Sequence, residues 1–178
     1  MSRTVFKLLL LAMLGTLVGG CGLYQSVEDT SASIARSIFY KQVMTLHLDF
    51  SGRAAINTDS QDMSALAVPT LVRVYQLRDG KAFGKASYDR LLSDSNTLLG
   101  ADLLDERAVV VRPGEGAQLS VPMDQAAQVV VVMALFRQPD RAKDSWRLVL
   151  ARDDLDPDRP RVVELADNRL TLRPMPRE

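Results

Sequence analysis

One cysteine occurs in the 178 residues, and it stands at the end of Leu17-Val18-Gly19-Gly20-Cys21. A thiolate is the best nucleophile among the side chains near neutral pH, and small neighbours leave the adjoining peptide bond open to a peptidase. No other constellation in the chain is as well placed for chemistry. One cysteine excludes an internal disulfide, and a single histidine excludes a His-rich metal site. There is no Gly-x-Ser-x-Gly elbow and no glycine-rich phosphate loop. Asp153, Asp154, Asp156 and Asp158 offer oxygen ligands, but without the spacing of a calcium loop. Arg152 and Arg159 flank them, so the segment reads as a solvated, charge-balanced loop. Glu115 and Glu164 lie too far apart to be paired from sequence. With Cys21 committed elsewhere no nucleophile–base pair is left. The residues favour a binding protein over an enzyme, with no catalytic group, cofactor or metal expected.

The surroundings of Cys21 explain its position. Arg3 and Lys7 form a short positive start, and residues 8–18 are apolar apart from Gly15 and Thr16. That run is shorter than the ~20 apolar residues a membrane-spanning helix needs. It fits the core of a secretory signal peptide over residues 1–20. The flank resembles the bacterial lipobox, in which the cysteine thiolate takes up a diacylglyceryl group. Cys21 is therefore expected to be the lipidated first residue of the mature chain. One acyl chain binds a membrane only marginally, at about 10⁴ M⁻¹, and stable anchoring takes more than one. Enterobacterial sorting retains a lipoprotein in the inner membrane when Asp follows the cysteine. Gly22 follows here, which points to the outer membrane. Loss of Arg3 and Lys7 leaves 20 basic and 22 acidic residues, a net charge of −2. A phosphate-tracking surface needs a basic excess, so no nucleic-acid partner is expected.

Residues 21–42 read as a lipidated N-terminus and tether, polar at 26–33, with a weak helical pattern through Ile34, Ile38 and Phe39. From residue 43 the period becomes two, the mark of a half-buried strand. Met44, Leu46, Leu48 and Phe50 share one face; Thr45, His47 and Asp49 share the other, making His47 a surface histidine. Residues 51–69 have no period and are rich in turn formers. Unstructured connections beyond about 12–15 residues are uncommon and often functional. Residues 70–77 form a strand apolar on both faces, which something must cover. Residues 81–100 supply the cover as a helical excursion, with Phe83, Ala86, Leu91, Leu92, Leu98 and Leu99 facing inward. Short strands follow at 108–112, 117–121, 129–136, 146–151, 162–165 and 170–172. Trp146, Leu148 and Leu150 are expected on one face, and "VVVVMALF" is the candidate central strand. The fold class is all-β: a two-sheet antiparallel sandwich of about eight strands over residues 43–178, with a helical insertion between strands 2 and 3.

Several features then coincide: the lipobox, a first strand, a long loop containing Asn57, and Pro69 leading into "VRVYQL". Phe83, Tyr88, "LLGADLL", Pro113-Gly114, "ALFR" and Trp146-Arg147 follow in order. The run resembles the type VI secretion lipoprotein family, TssJ or SciN. The resemblance implies a transthyretin-like β-sandwich with extra helical elements. It further implies an outer-membrane lipoprotein, lipid-anchored on the periplasmic face, that holds the C-terminal periplasmic domain of TssM. With TssL these proteins form the trans-envelope complex. In the family the loop between the first two strands is the main TssM contact. It maps here onto the segment Gly52 to Val68, with Gly52, Arg53, Asn57, Thr58, Asp59, Ser60, Gln61, Asp62 and Met63 as the expected binding residues. By side-chain chemistry Asn57, Asp59 and Asp62, which can bond to a partner's backbone, and Met63, an adaptable apolar plug, are the foremost contacts. Two other readings stand beside it. One is a periplasmic inhibitor or small-ligand-binding lipoprotein on a similar sandwich, which would need an apolar pocket. The other is a lipid-anchored hydrolase.

Overall fold

The alternation becomes strand β1 (Thr45–Gly52), with Leu46, Leu48 and Phe50 buried. The computed structural model describes residues 43–59, 61 and 66–175. The expected signal segment, Cys21 and the tether with its helix lie outside the described residues, as do Ser60, Asp62 and Met63. Met44 is not part of the buried face. It precedes the strand, is 56% exposed, and accepts the Met123 N–H on its carbonyl, while Val43 turns inward instead.

The chain continues through β2 (Thr70–Leu77), α1 (Lys81–Lys85) and α2 (Tyr88–Leu99), then a 3₁₀ turn at Gly100–Asp102. Six strands follow: β3 (Leu103–Val111), β4 (Gly116–Pro122), β5 (Val129–Ala134), β6 (Arg147–Ala151), β7 (Arg161–Ala166) and β8 (Arg169–Leu172). They form two four-stranded sheets, ordered β4-β1-β7-β8 and β3-β2-β5-β6. The expected antiparallel sandwich needs one correction: β1 and β7 run parallel, with Phe50 opposite Val163. A hairpin forces antiparallel pairing, but β7 reaches β1 only after the chain has visited the other sheet, and a long crossover leaves direction free. β3 also starts earlier than residue 108, because pairing to β2 carries the charged Asp105, Glu106 and Arg107 into the ladder. β5 stops at Ala134, where the Phe136 N–H turns back to the Ala134 carbonyl.

The double-sided character of β2 and β5 is the centre of the fold. Register places Val72, Val74 and Gln76 beside Ala134, Val132 and Val130, facing the other sheet. Arg73 and Tyr75, beside Met133 and Val131, face the helical layer. All four residues Val130–Met133 are fully buried. On the helical side Phe83 lies 6.2 Å from Tyr75 and 6.4 Å from Trp146, and Tyr88 meets Trp146 edge-on at 5.1 Å. Each such ring removes roughly 150–250 Å² from water, so the helices cover what would otherwise be an exposed apolar face. Trp146 therefore belongs with the helical aromatic residues and not with Leu148 and Leu150: β6 begins one residue later, and the alternation does not reach it. Leu92 departs from the expected stripe and is 43% exposed, in a helix whose backbone is non-helical at Asp94.

Two polar clips close one end of the sandwich. Buried Gln76 donates to the Pro122 carbonyl at 2.9 Å and accepts the Asp124 N–H at 2.8 Å. The Arg152 guanidinium donates to the carbonyls of Val43, Asp124 and Ala127 at 2.7–2.9 Å. The chain thus comes into the domain at a fixed point. Strand register puts the end of β1, the start of β2 and the β3–β4, β5–β6 and β7–β8 connections at the opposite pole.

Candidate binding loop

The β1–β2 connection starts from a position that admits no side chain. Gly52 is buried, and a Cβ there would stand 2.6 Å from the Arg112 carbonyl oxygen and 2.9 Å from a Val111 methyl. The approach is this close because Arg112–Glu115 turn tightly between the sheets. Pro113 and Gly114, the latter at φ +75°, fit the central positions of a type II turn. Gly52 is thus the last residue of β1, and its N–H bonds to the Glu115 carbonyl. It forms the root of the loop rather than its surface.

The next residues are held on two sides. The Arg53 N–H bonds to the Leu165 carbonyl, and the Asp167 N–H bonds to the Ala55 carbonyl. Asp167 and Asn168 both have positive φ, as a type I′ hairpin turn requires. From that turn the Asn168 side chain donates to the Thr58 carbonyl at 2.8 Å. Ile56 is fully buried and fastens the segment to the core.

On the other side lies the β5–β6 connection. Asn57 is 4% exposed with φ +49°. Its Oδ1 accepts the Arg137 N–H at 2.6 Å, and its Nδ2 donates to the Pro69 carbonyl at 3.3 Å. Asp59 accepts from the Gln138 amide, pairs with Arg137 at 3.3 Å and caps the Gln61 N–H at 2.9 Å. Asn57, proposed from sequence as a contact, is an internal fastener. Thr58, Asp59, Gln61 and the 61%-exposed Arg53 side chain remain at the surface. Leu66, beyond the undescribed stretch, is 63% exposed.

Arg53 also contributes to a charge triad. Its Nε lies 3.0 Å from Glu164, whose other oxygen binds Arg173 at 2.7 Å. The hydrogen bond from Arg53, then that from Arg173, holds the Glu164 carboxyl below its ordinary value, and the same pairing raises Arg53. Sequence reading missed Arg137, Gln138, Glu164 and Asn168. Each meets the loop from 78 to 111 residues away, a separation at which the linear sequence shows no pairing.

Other candidate chemistry is weaker. His47 Nδ1 lies 3.1 Å from Ser120 Oγ, a pair that register across β1 and β4 creates and the linear sequence hides. It lies on the solvent side of a sheet. The neighbouring backbone amides belong to the strand ladder, so they do not converge as an oxyanion hole would require. In the acidic loop, Asp156 accepts two backbone N–H groups and pairs with Arg159 at 2.8 Å, while Asp154 caps the Ala151 N–H. Among the described residues no three acidic, His or Cys side chains gather as metal ligands. A hollow of about 350 Å³ opens between the α1–α2 junction and residues 141–147. Its two arginines are satisfied internally: Arg141 binds Asp89 at 2.6 and 2.9 Å, and Arg147 lies 4.8 Å from the Trp146 ring and donates to the Phe83 and Ala86 carbonyls. Among the described residues no helix is long and apolar enough to cross a membrane.

Residues 44–172 match the sequence model of the family described as type VI secretion lipoprotein, VasD, EvfM, TssJ. No curated protein matches the sequence. Among solved structures, a chain of the one described as "T6SS protein TssM C-terminal domain (869-1107) from EAEC" is 38% identical, with a TM-score of 0.68 over 75% of this chain and 100% of that chain. A chain of "Type VI membrane complex" is 41% identical, with a TM-score of 0.70 over the same shares. The T6SS lipoprotein TssJ1 from Pseudomonas aeruginosa is 25% identical, with a TM-score of 0.59 over 75% of this chain and 98% of that one.

Proposed function

The chain belongs to the type VI secretion lipoprotein family, and from that premise we propose that it binds the periplasmic C-terminal domain of TssM. In this reading Cys21 carries the acyl anchor in the outer membrane, and residues 1–20 are removed as its signal peptide. The domain faces the periplasm and, with TssM and TssL, bridges the envelope. Support comes from two similar chains, 38% and 41% identical, in structures described by a TssM domain and by a type VI membrane complex.

One structural observation carries the reading: the β1–β2 loop lies at the pole opposite the start of β1. β1 alone separates the poles by roughly 26 Å at about 3.3 Å per residue. A tether over residues 22–42 reaches at most ~70 Å. That reach exceeds the length of β1, so an anchor at Cys21 does not pin the loop against its own membrane. No catalytic step is needed; the protein works by position and affinity. Calorimetric titration of the chain from Gly22 onward with the TssM periplasmic C-terminal domain tests this. Saturable binding is expected, and an absence of heat together with separate elution on gel filtration overturns the reading.

A further inference from the structure

We infer that Asn57 is a positioning residue that holds residues 53–59, the base of the β1–β2 loop, in place before binding, so that a partner meets this stretch and the β5–β6 loop as one surface. The inference rests on the reading of the loop as the binding element. Asn57 joins three segments with one amide. Nδ2 reaches Pro69 and ties the two ends of the loop together across 12 residues; Oδ1 takes the backbone N–H of Arg137 from the other connection. At 4% exposure the amide is shielded from competing water, and a partner cannot grip it. Its backbone lies in the left-handed region, which asparagine tolerates better than most residues. Asp59 repeats the link two residues on, binding the side chains of both Gln138 and Arg137. The bonds run from loop to loop, so ordering one connection orders the other.

Preorganisation has a kinetic signature. If only a fraction of molecules holds the competent loop, the apparent dissociation constant rises by the inverse of that fraction. The loss falls on association, because the complex once formed has the same contacts. Asn57→Gly admits the left-handed backbone but removes the whole side chain and loosens the chain at that position, so Asp59→Ala is read beside it as the variant that leaves the backbone unaltered. Surface-plasmon kinetics with the TssM domain are expected to show association slowed about tenfold or more, with dissociation changed less than threefold. Hydrogen exchange at the amides of Thr58, Gln61 and Arg137 is expected to accelerate while that of Val130–Met133 does not. Asp59→Ala, a milder change near the surface, is expected to move the same quantities in the same direction and covers the case in which Asn57→Gly fails to fold.

Wild-type association and exchange in both variants overturn the inference. A rise confined to the dissociation rate overturns it too, since it marks Asn57 or Asp59 as a contact. A chain lacking residues 60–66 separates the two levels. If that chain loses binding while Asn57→Gly and Asp59→Ala keep wild-type kinetics, the loop binds without being prefolded. If it binds like wild type, the loop is not the interface, and the inference fails with the reading beneath it.

Discussion

Single residues set the loop's root. A methyl group at Gly52 meets backbone atoms of Arg112 and Glu115, which cannot rotate away. Gly52→Ala is expected to cost about 1–3 kcal/mol, the usual range for overpacking, read as a lower urea midpoint at unchanged m-value. Glu164 offers a titration. Its carboxyl is held below the ordinary 4.5 by Arg53 and then Arg173, so its contribution is fully present above that value. That contribution is lost as the pH falls through the depressed folded value. Between about pH 6 and pH 3 the wild-type melting temperature is expected to fall more than that of Glu164→Gln, and parallel curves would remove the triad from acid stability. Cys21 belongs to the same scale. With Cys21→Ser, acylation and sedimentation with the outer membrane are both expected to disappear; if both persist, the anchor is elsewhere. The existence of the β1–β2 loop was legible here, because a run of turn formers is a local signal. The role of Asn57 was not, since its partners at Pro69 and Arg137 are set by folding.

Elements follow the same division. β2 was legible to the residue, since "TLVRVYQL" lies between a proline and a charged turn. The apolar run at 129–136 was legible as a buried strand, although its end needed the turn at Phe136 to define it. The start of β3 and the parallel β1–β7 pair were hidden, because both depend on a neighbouring strand and leave no periodic trace. Trp146 was misplaced for a related reason: it stands one residue outside β6, where alternation no longer decides its side. The helical cover makes a strong demand on β5. Val131 faces the helical layer and Val132 the opposite sheet, both at zero exposure. Val131→Asp and Val132→Asp are each expected to cost at least about 3 kcal/mol, a large part of a domain's ~5–15 kcal/mol. Insoluble protein or loss of the near-ultraviolet circular dichroism of Trp146 would record it. Two well-folded variants would mean that one face of β5 is open.

In the described domain the start of β1 and the β1–β2 loop lie at opposite poles. Arg152 fixes where the chain comes in, through the Val43 carbonyl, and the loop emerges at the far end of β1. Stability and binding are then separable, because the residues removed by shortening the loop lie beyond the bonds at Asn57 and Asp59 that hold its base. Flexible loop length weighs little on stability, about 0.6 kcal/mol per doubling. The most direct measurement is calorimetric titration of the TssM periplasmic C-terminal domain into the chain from Gly22 onward, with and without residues 60–66. Expected is a melting temperature within a few degrees of wild type and a dissociation constant raised at least a hundredfold, about 2.7 kcal/mol. An unchanged melting temperature together with an unchanged dissociation constant would contradict the assignment of the β1–β2 loop as the surface that holds TssM.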